Sequence, residues 1–263
     1  LAALNTKGTT IIKAKKSRNH TELFFKYLKI PMKITKRKSY DLIKINGKKK
    51  IKKLNYKIPA DISSSAFFIV LTILSKDSKL VIKNVNINPS RTGIIKILNL
   101  MNIKIKIKNI RNYKGEKIAD LFVASQKNIK PINCPQNLNS ASIDEFLLIF
   151  LLAARANGVS YFKNLSELNE KESPRLIWGS KILNIMGIKN IVTKSSIKIF
   201  GNPQLRIDKK IEIKNFLKDH RVFMTSVIAA LTFGGEWKIS DKDSINTSFP
   251  SFMSKIKELG VKI

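Results

Sequence analysis

Asp144-Glu145-Phe146-Leu147-Leu148-Ile149-Phe150 sets the pattern for the whole chain: an acidic residue leads into a helix that is apolar on nearly every side. The same lead recurs 83 residues earlier, at Asp61-Ile62-Ser63-Ser64-Ser65-Ala66-Phe67-Phe68, and 75 residues later, at Asp219-His220-Arg221-Val222-Phe223-Met224. The stretches that follow, Ala66 to Leu74, Phe146 to Ala156 and Val222 to Leu231, have almost no polar face for water. Helices of that kind belong inside a core. Each leads on to a strand-like run: Leu80-Val81-Ile82, Val159-Ser160-Tyr161-Phe162 and Trp237-Lys238-Ile239.

A second element repeats between these. A Ser-, Asn- or Thr-rich start, an amphipathic helix and a short strand follow one another in Ser17 to Ile34, Asn88 to Ile107, Ser173 to Val192 and Asn246 to Ile263. Within them Leu28, Met101, Met186 and Leu259 recur at intervals of 73, 85 and 73 residues. The chain therefore reads as repeats of strand, helix, strand, helix and two strands, βαβαββ. Three complete units are expected after residue 58, and before it a half-unit that lacks its opening helix. Asn88-Pro89, Ser173-Pro174 and Ser248-Phe249-Pro250 read as cap residues ahead of a proline that starts the second helix. The expected fold class is α/β (α+β), with buried inner helices and outer sheets. If the second helices share a direction, their N-termini offer free N–H groups to an anion.

Composition narrows the function. The 263 residues carry a formal charge of +32, with 43% hydrophobic and 26% charged residues, a globular balance. One cysteine and two histidines argue against a disulfide framework, a zinc site or a Cys–His pair. The longest apolar run, Phe146 to Ala154, is about half the roughly 20 residues of a membrane span. With no leader pattern at the start, a soluble cytoplasmic protein is expected, with no membrane partner. The opening Leu1-Ala2-Ala3-Leu4 looks like the tail of a helix, so the chain is expected to be a piece of something longer.

So basic a chain raises nucleic acid as a partner. Its lysines are scattered, however, and alternate with isoleucine from Ile103 to Lys108, as in a strand with one solvated face. The densest run, Lys44 to Lys57, surrounds the hairpin signal Asn46-Gly47 and holds one aromatic, Tyr56. It thus lacks the interleaved stacking residues of single-strand binders, and no nucleic acid is expected. Polar clusters stand at matched places in the repeats: Asn88 to Thr92, Asp144-Glu145, Lys171 to Arg175 and Asp219 to Arg221. Capping and surface pairing would explain any one of them. Together in one cleft, such cations and carboxylates suit a multiply anionic substrate and a proton acceptor.

The residues also match a family. Ser17-Arg18-Asn19-His20-Thr21-Glu22, Pro59-Ala60-Asp61-Ile62-Ser63-Ser64, Asn88-Pro89-Ser90-Arg91-Thr92-Gly93, Gly115 to Asp120, Ile143-Asp144-Glu145, Lys171-Glu172-Ser173, Asp219-His220-Arg221 and Thr247 to Pro250 occur in that order. In these strings the chain resembles the C-terminal part of the 5-enolpyruvylshikimate-3-phosphate synthase family. The resemblance implies the enolpyruvyl transferase fold, an inside-out α/β barrel of two three-unit domains that close on the substrates. Residues 1–57 would finish an interrupted domain, and residues 58–263 would form the other.

The implied reaction moves the enolpyruvyl group of phosphoenolpyruvate to the 5-hydroxyl of shikimate 3-phosphate and releases phosphate, with no metal or organic cofactor. By the resemblance Asp144 accepts the hydroxyl proton and binds the shikimate ring, which Lys171 and Ser17 also contact. Glu172 handles the proton at the methylene carbon. Lys171, Arg175 and Arg221 hold phosphoenolpyruvate, and His220 supports them. The full-length protein would be a monomer, and this chain alone inactive, because further phosphate-binding residues would lie before Leu1.

The chain departs from the family pattern at Ala60, Arg155, Asn169-Glu170, Pro174 and Val222-Phe223. Glu170 puts a new charge beside Lys171, and Val222-Phe223 add bulk next to Arg221. Two other readings stay open. One is the related transferase acting on UDP-N-acetylglucosamine, and the other is an inactive basic fragment that binds polyanions.

Overall fold

Three helices fill the middle of the protein, and each is one of the apolar runs that follow an acidic residue. A computed structural model describes residues 1–15, 17–47, 51 and 53–261. In chain order the elements begin with α1 (Ala2–Asn5), β1 (Thr9–Lys15), α2 (His20–Tyr27), β2 (Met32–Lys36) and β3 (Tyr40–Asn46). There follow α3 (Ile62–Leu74), β4 (Lys79–Asn86), α4 (Gly93–Leu100), β5 (Lys106–Tyr113) and β6 (Glu116–Ala124). The next unit holds α5 (Phe146–Arg155), β7 (Val159–Phe162), α6 (Arg175–Ile185), β8 (Asn190–Val192) and β9 (Ile197–Phe200). The last holds β10 (Ile207–Ile213), α7 (His220–Phe233), β11 (Gly234–Ile239) and α8 (Phe252–Glu258).

Helices α3, α5 and α7 pack on one another, and nine of the ten residues of α5 are buried. Each fully buried Leu, Ile or Phe contributes about 1.5–3 kcal/mol. This trio therefore dominates the main core, which runs from Ile62 to Ile256. At Gly179 α6 approaches α5 so closely that a Cβ would lie 2.6 Å from Phe150 Cδ2. The sheets lie outside, in the orders β4-β6-β5 and β7-β9-β8, with β10 and β11 as a parallel pair. In the first two units the opening strand shrinks to a single parallel bridge, Ala60 to Val85 and Asn133 to Tyr161.

The N-terminal half-unit is built separately. Its sheet has the order β1-β3-β2, and Ala3, Leu4, Phe25, Ile30, Ile43 and Ile45 form its own small core. The single turn of α1, with Ala3 and Leu4 buried, forms where the sequence reads as the tail of a helix.

Several expectations need correction. Among the described residues the third unit shows βαβα, through α8, and no closing strand pair; residues 262 and 263 lie outside them. Asn46-Gly47 is not a hairpin turn. It ends β3, where Gly47 N donates to Gly8 O at 2.9 Å, and the hairpin of this sheet joins β2 to β3 instead. Lys48, Lys49, Lys50 and Lys52 of the dense basic run lie outside the described residues.

The proline-led helix starts are also displaced. Pro174 is itself the residue before α6 rather than its first helical residue, and Ser173 Oγ bonds Asp219 instead of capping. Asn88 Oδ1 accepts from Ser90 N at 2.9 Å in a local turn, which delays α4 to Gly93. The α8 helix begins only after Ser251. Side-chain-to-backbone turns compete with helix initiation at such residues, and here the turns win. From Ile103 to Lys108 burial alternates as expected, although the strand itself starts at Lys106.

Candidate functional site

Four helix N-termini meet at Asp144. Its carboxylate stands just ahead of α5, and Arg18 precedes α2, Arg175 opens α6 and Arg221 lies in the first turn of α7. Two of these are second helices of their units and two are buried first helices, so the shared direction expected of the second helices alone does not describe the site. Arg18 Nη2 donates to Asp144 Oδ2 in a close contact. Arg221 Nη2 is 3.8 Å from the same oxygen, while Arg175 Nη1 and Lys171 Nζ lie 3.5 and 4.0 Å from Oδ1. Arg221 Nη1 also donates to the Asp144 carbonyl at 3.0 Å. Burial alone would raise the Asp144 pKa, but Arg221, Arg18 and Lys171 override it and hold it down at about 2. Asp144 is not a helix cap, because Glu145 takes that position.

Asp219 organises the other side. It caps α7 by accepting from Arg221 N at 2.9 Å, and it accepts from Ser173 Oγ and Arg175 Nε, both at 2.8 Å. Burial pushes its pKa up, yet the Arg175 and Ser173 hydrogen bonds leave it below the usual value. Arg175, 2% exposed, is thus enclosed by Asp144, Asp219 and Glu172, of which only Glu172 stands largely in solvent, at 54%. His220, partly buried beside Arg221, has its pKa lowered, chiefly by burial.

The structure therefore brings together Asp144, Lys171, Glu172, Arg175, His220 and Arg221. Ser17 is exposed, and its neighbour Arg18 is the residue that reaches Asp144. Arg18 and Asp219 were absent from the residues expected to act. Their signals were position in a matched string for Arg18 and the cap before an apolar helix for Asp219. Glu170 is exposed, and Lys171 faces Glu167 at 3.5 Å and Asp144 instead, so the new charge stands off. Val222 and Phe223 point into the core rather than crowding Arg221. Cys134 is buried, and burial raises its pKa to about 11, so its thiol is unreactive. Among the described residues no helix is long and apolar enough to cross a membrane.

Residues 1–256 match the family model described as EPSP synthase (3-phosphoshikimate 1-carboxyvinyltransferase). A 3-phosphoshikimate 1-carboxyvinyltransferase of Ruthia magnifica is 36% identical over 264 residues, which take in 100% of this chain and 59% of that protein. A solved EPSP synthase of Acinetobacter baumannii superposes with a TM-score of 0.86 at 31% identity, over 98% of this chain and 58% of the other. The enolpyruvyl transferase NikO of Streptomyces tendae shares the fold, with a TM-score of 0.75 at 15% identity over 99% and 57% of the two chains. The chain thus spans less than three fifths of the length of these relatives.

Proposed function

The chain belongs to the EPSP synthase family, and from that premise we propose that it supplies one side of an active site that transfers an enolpyruvyl group from phosphoenolpyruvate to shikimate 3-phosphate. The observation that carries this reading is the ring of Arg18, Lys171, Arg175 and Arg221 around one carboxylate, Asp144. Both substrates are multiply anionic, and a guanidinium fork grips carboxylate or phosphate at two points.

In this reading the substrate hydroxyl oxygen attacks C2 of the enolpyruvyl group, and its proton passes to Asp144. A carboxylate held near 2 by cations is a weak base. Arriving phosphate and carboxylate groups compete for Arg18, Lys171, Arg175 and Arg221, and each cation drawn away lets Asp144 become more basic. Binding thus arms the base. Glu172, exposed and paired with Arg175, gives C3 a proton as the new C2–O bond forms, and takes one back from C3 to restore the double bond as phosphate departs. The C2–O bond to phosphate then breaks and inorganic phosphate leaves. Fixed cations stabilise the charge that develops on the way. The resemblance implies neither metal nor organic cofactor.

We further assign residues 1–57 and 58–263 to two lobes that close on the substrates. Each has its own apolar core. Arg18 to Asp144, Asn19 to Asn88 and His20 to Glu116 are polar contacts across the junction. Polar contacts suit a joint that opens and shuts. A cytoplasmic monomer acting on soluble metabolites fits this role. The NikO likeness is one of fold alone, so the choice of acceptor rests on the EPSP synthase match rather than on architecture.

The test is phosphate release from phosphoenolpyruvate and shikimate 3-phosphate by the protein made from the complete reading frame. Turnover that Asp144→Ala abolishes while melting stays cooperative supports the reading. A folded protein that neither binds nor turns over these substrates refutes it.

A further inference from the structure

Glu145, next to the proposed proton acceptor, is a buried acid that the reaction above does not use. It stands at the cap position of α5 but makes no capping hydrogen bond, and its side chain turns inward, 2% exposed. There it accepts a hydrogen bond from Ser63 Oγ, which is itself fully buried. Arg91 Nη2 donates to Ser63 Oγ and to Asp61 Oδ1, each at 2.7 Å. Asp61 caps α3 through Ser64 N at 2.8 Å, and Ala60 just before it bridges to Val85. The peptide joining Asp144 to Glu145 is also held by Arg221, whose Nη1 donates to the Asp144 carbonyl at 3.0 Å.

We propose that Glu145 is a positioning residue that, anchored through Ser63 and Arg91 to Asp61 at the start of α3, sets where the Asp144 carboxylate stands within its ring of cations. This rests on the reading of Asp144 as proton acceptor. An active-site group is held in place by neighbours whose own side chains are locked by packing and hydrogen bonds. Glu145 meets that description, because it is 2% exposed and hydrogen-bonded to the fully buried Ser63.

The anchor responds to pH. The charged groups facing Glu145 are Asp144 beside it, Arg91 ahead of α4, Arg221 on α7 and, through Ser63, Asp61 at the start of α3. Burial raises the Glu145 pKa to about 7, a rise that Ser63, Arg221 and Arg91 oppose and Asp144 reinforces. Below that pH Glu145 is neutral. Above it a second carboxylate stands one residue from Asp144 and repels any anion entering the ring.

The experiment follows the carboxyl carbons of aspartate by NMR through an acid titration of the ligand-free 263-residue chain, with Asp144→Asn to assign the signal. Glu145→Gln keeps the buried acceptor, and the Asp144 midpoint is expected to stay low. Glu145→Ala and Ser63→Ala cut the anchor, and the midpoint is expected to rise by about one pH unit as the carboxylate leaves its cations. Ser63→Ala, a small change, keeps the test open if Glu145→Ala does not fold.

In parallel, the dissociation constant for inorganic phosphate is measured in the wild type and in Glu145→Gln. The ratio of wild type to variant is expected to be flat below pH 6 and to climb several-fold by pH 8.5. An Asp144 midpoint unmoved in Ser63→Ala and Glu145→Ala overturns the proposal. So does a Glu145→Gln variant as displaced as Glu145→Ala, whereas a flat ratio at every pH would overturn the pH response of the anchor alone. The titration uses neither substrate, so a positive result beside failed enolpyruvyl transfer would sink the reaction and keep the anchor.

Discussion

Arg175 Nε lies 2.8 Å from Asp219 Oδ2, and the two side chains are 2% and 0% exposed. Two opposite charges are thus sealed together where α6 meets α7. Such a pair adds little net stability over an apolar replacement, but breaking it strands a charge in the core. Its value here is geometric. Asp219 also fixes Ser173 and the first turn of α7, so Arg175 and Arg221 hold their places relative to each other before any ligand arrives.

Asp219→Ala should therefore lower stability by ~3–5 kcal/mol, because Arg175 is left buried without its main acceptor. Chemical denaturation of the 263-residue chain measures this. Adding Arg175→Met should recover much of the loss, since the stranded charge goes with it. A single Asp219→Ala variant within about 1 kcal/mol of wild type would show that other groups satisfy Arg175.

Acid should loosen the site in a defined window. Asp144 and Asp219 both have folded pKa values below their ordinary 3.8, Asp144 at about 2. Their stabilisation is present in full above 3.8 and is lost as pH falls through the folded values. At pH 6 Asp144→Asn should be less stable than wild type by on the order of 1–2 kcal/mol, because four cations lose their shared counter-charge. Melting curves of the two proteins should converge on approach to pH 2. A gap of the same size at both ends would mean that the cations do not hold the carboxylate.

The repeat was legible because it is written in burial. Helices α3, α5 and α7 are apolar on nearly all sides, and no other use of such runs is stable in a globular chain. Asp144, Lys171, Arg175 and Arg221 were legible as a cluster because they stand at matched helix starts in the repeats. What the sequence concealed was partnership. That Arg18 crosses 126 residues to reach Asp144, or that Glu145 turns inward to Ser63, depends on how lobes and helices dock. The proline-led starts misled for a related reason: Ser173 and Asn88 spend their side chains on Asp219 and on a local turn, and local sequence does not announce a tertiary competitor.

Gly179→Ala should destabilise by ~1–3 kcal/mol, the usual effect of overpacking a filled core. The added carbon would meet Phe150 Cδ2 at 2.6 Å and Leu147 Cδ2 at 3.2 Å, and both of these side chains are buried. Pairing it with Phe150→Leu should return part of the loss. If Gly179→Ala alone melts like wild type, α6 has room to slide along α5. Arg175 at the head of α6 should then shift, and phosphate affinity would move with it.

Arg155 gives the last prediction. It sits at the end of the otherwise apolar α5 and donates to three carbonyls: Pro203 at 3.1 Å, Leu205 at 2.7 Å and Thr232 at 3.0 Å. Its guanidinium carbon lies 4.3 Å above the Phe233 ring. Thr232 belongs to the last turn of α7, whose carbonyls lack helical partners and favour a cation. Arg155→Met keeps the stem and drops every donor, which should lower stability by ~2–4 kcal/mol as several partly buried acceptors go unmet. Arg155→Lys should restore less than half, because one ammonium cannot span three carbonyls on two segments. Helical rise puts Arg155 about 15 Å along α5 from Asp144. Phosphate affinity should therefore stay at the wild-type value in both variants. Isothermal titration beside thermal melting checks the pair, and a loss of affinity that tracks the loss of stability would mean that α5 transmits strain from its far end to the site.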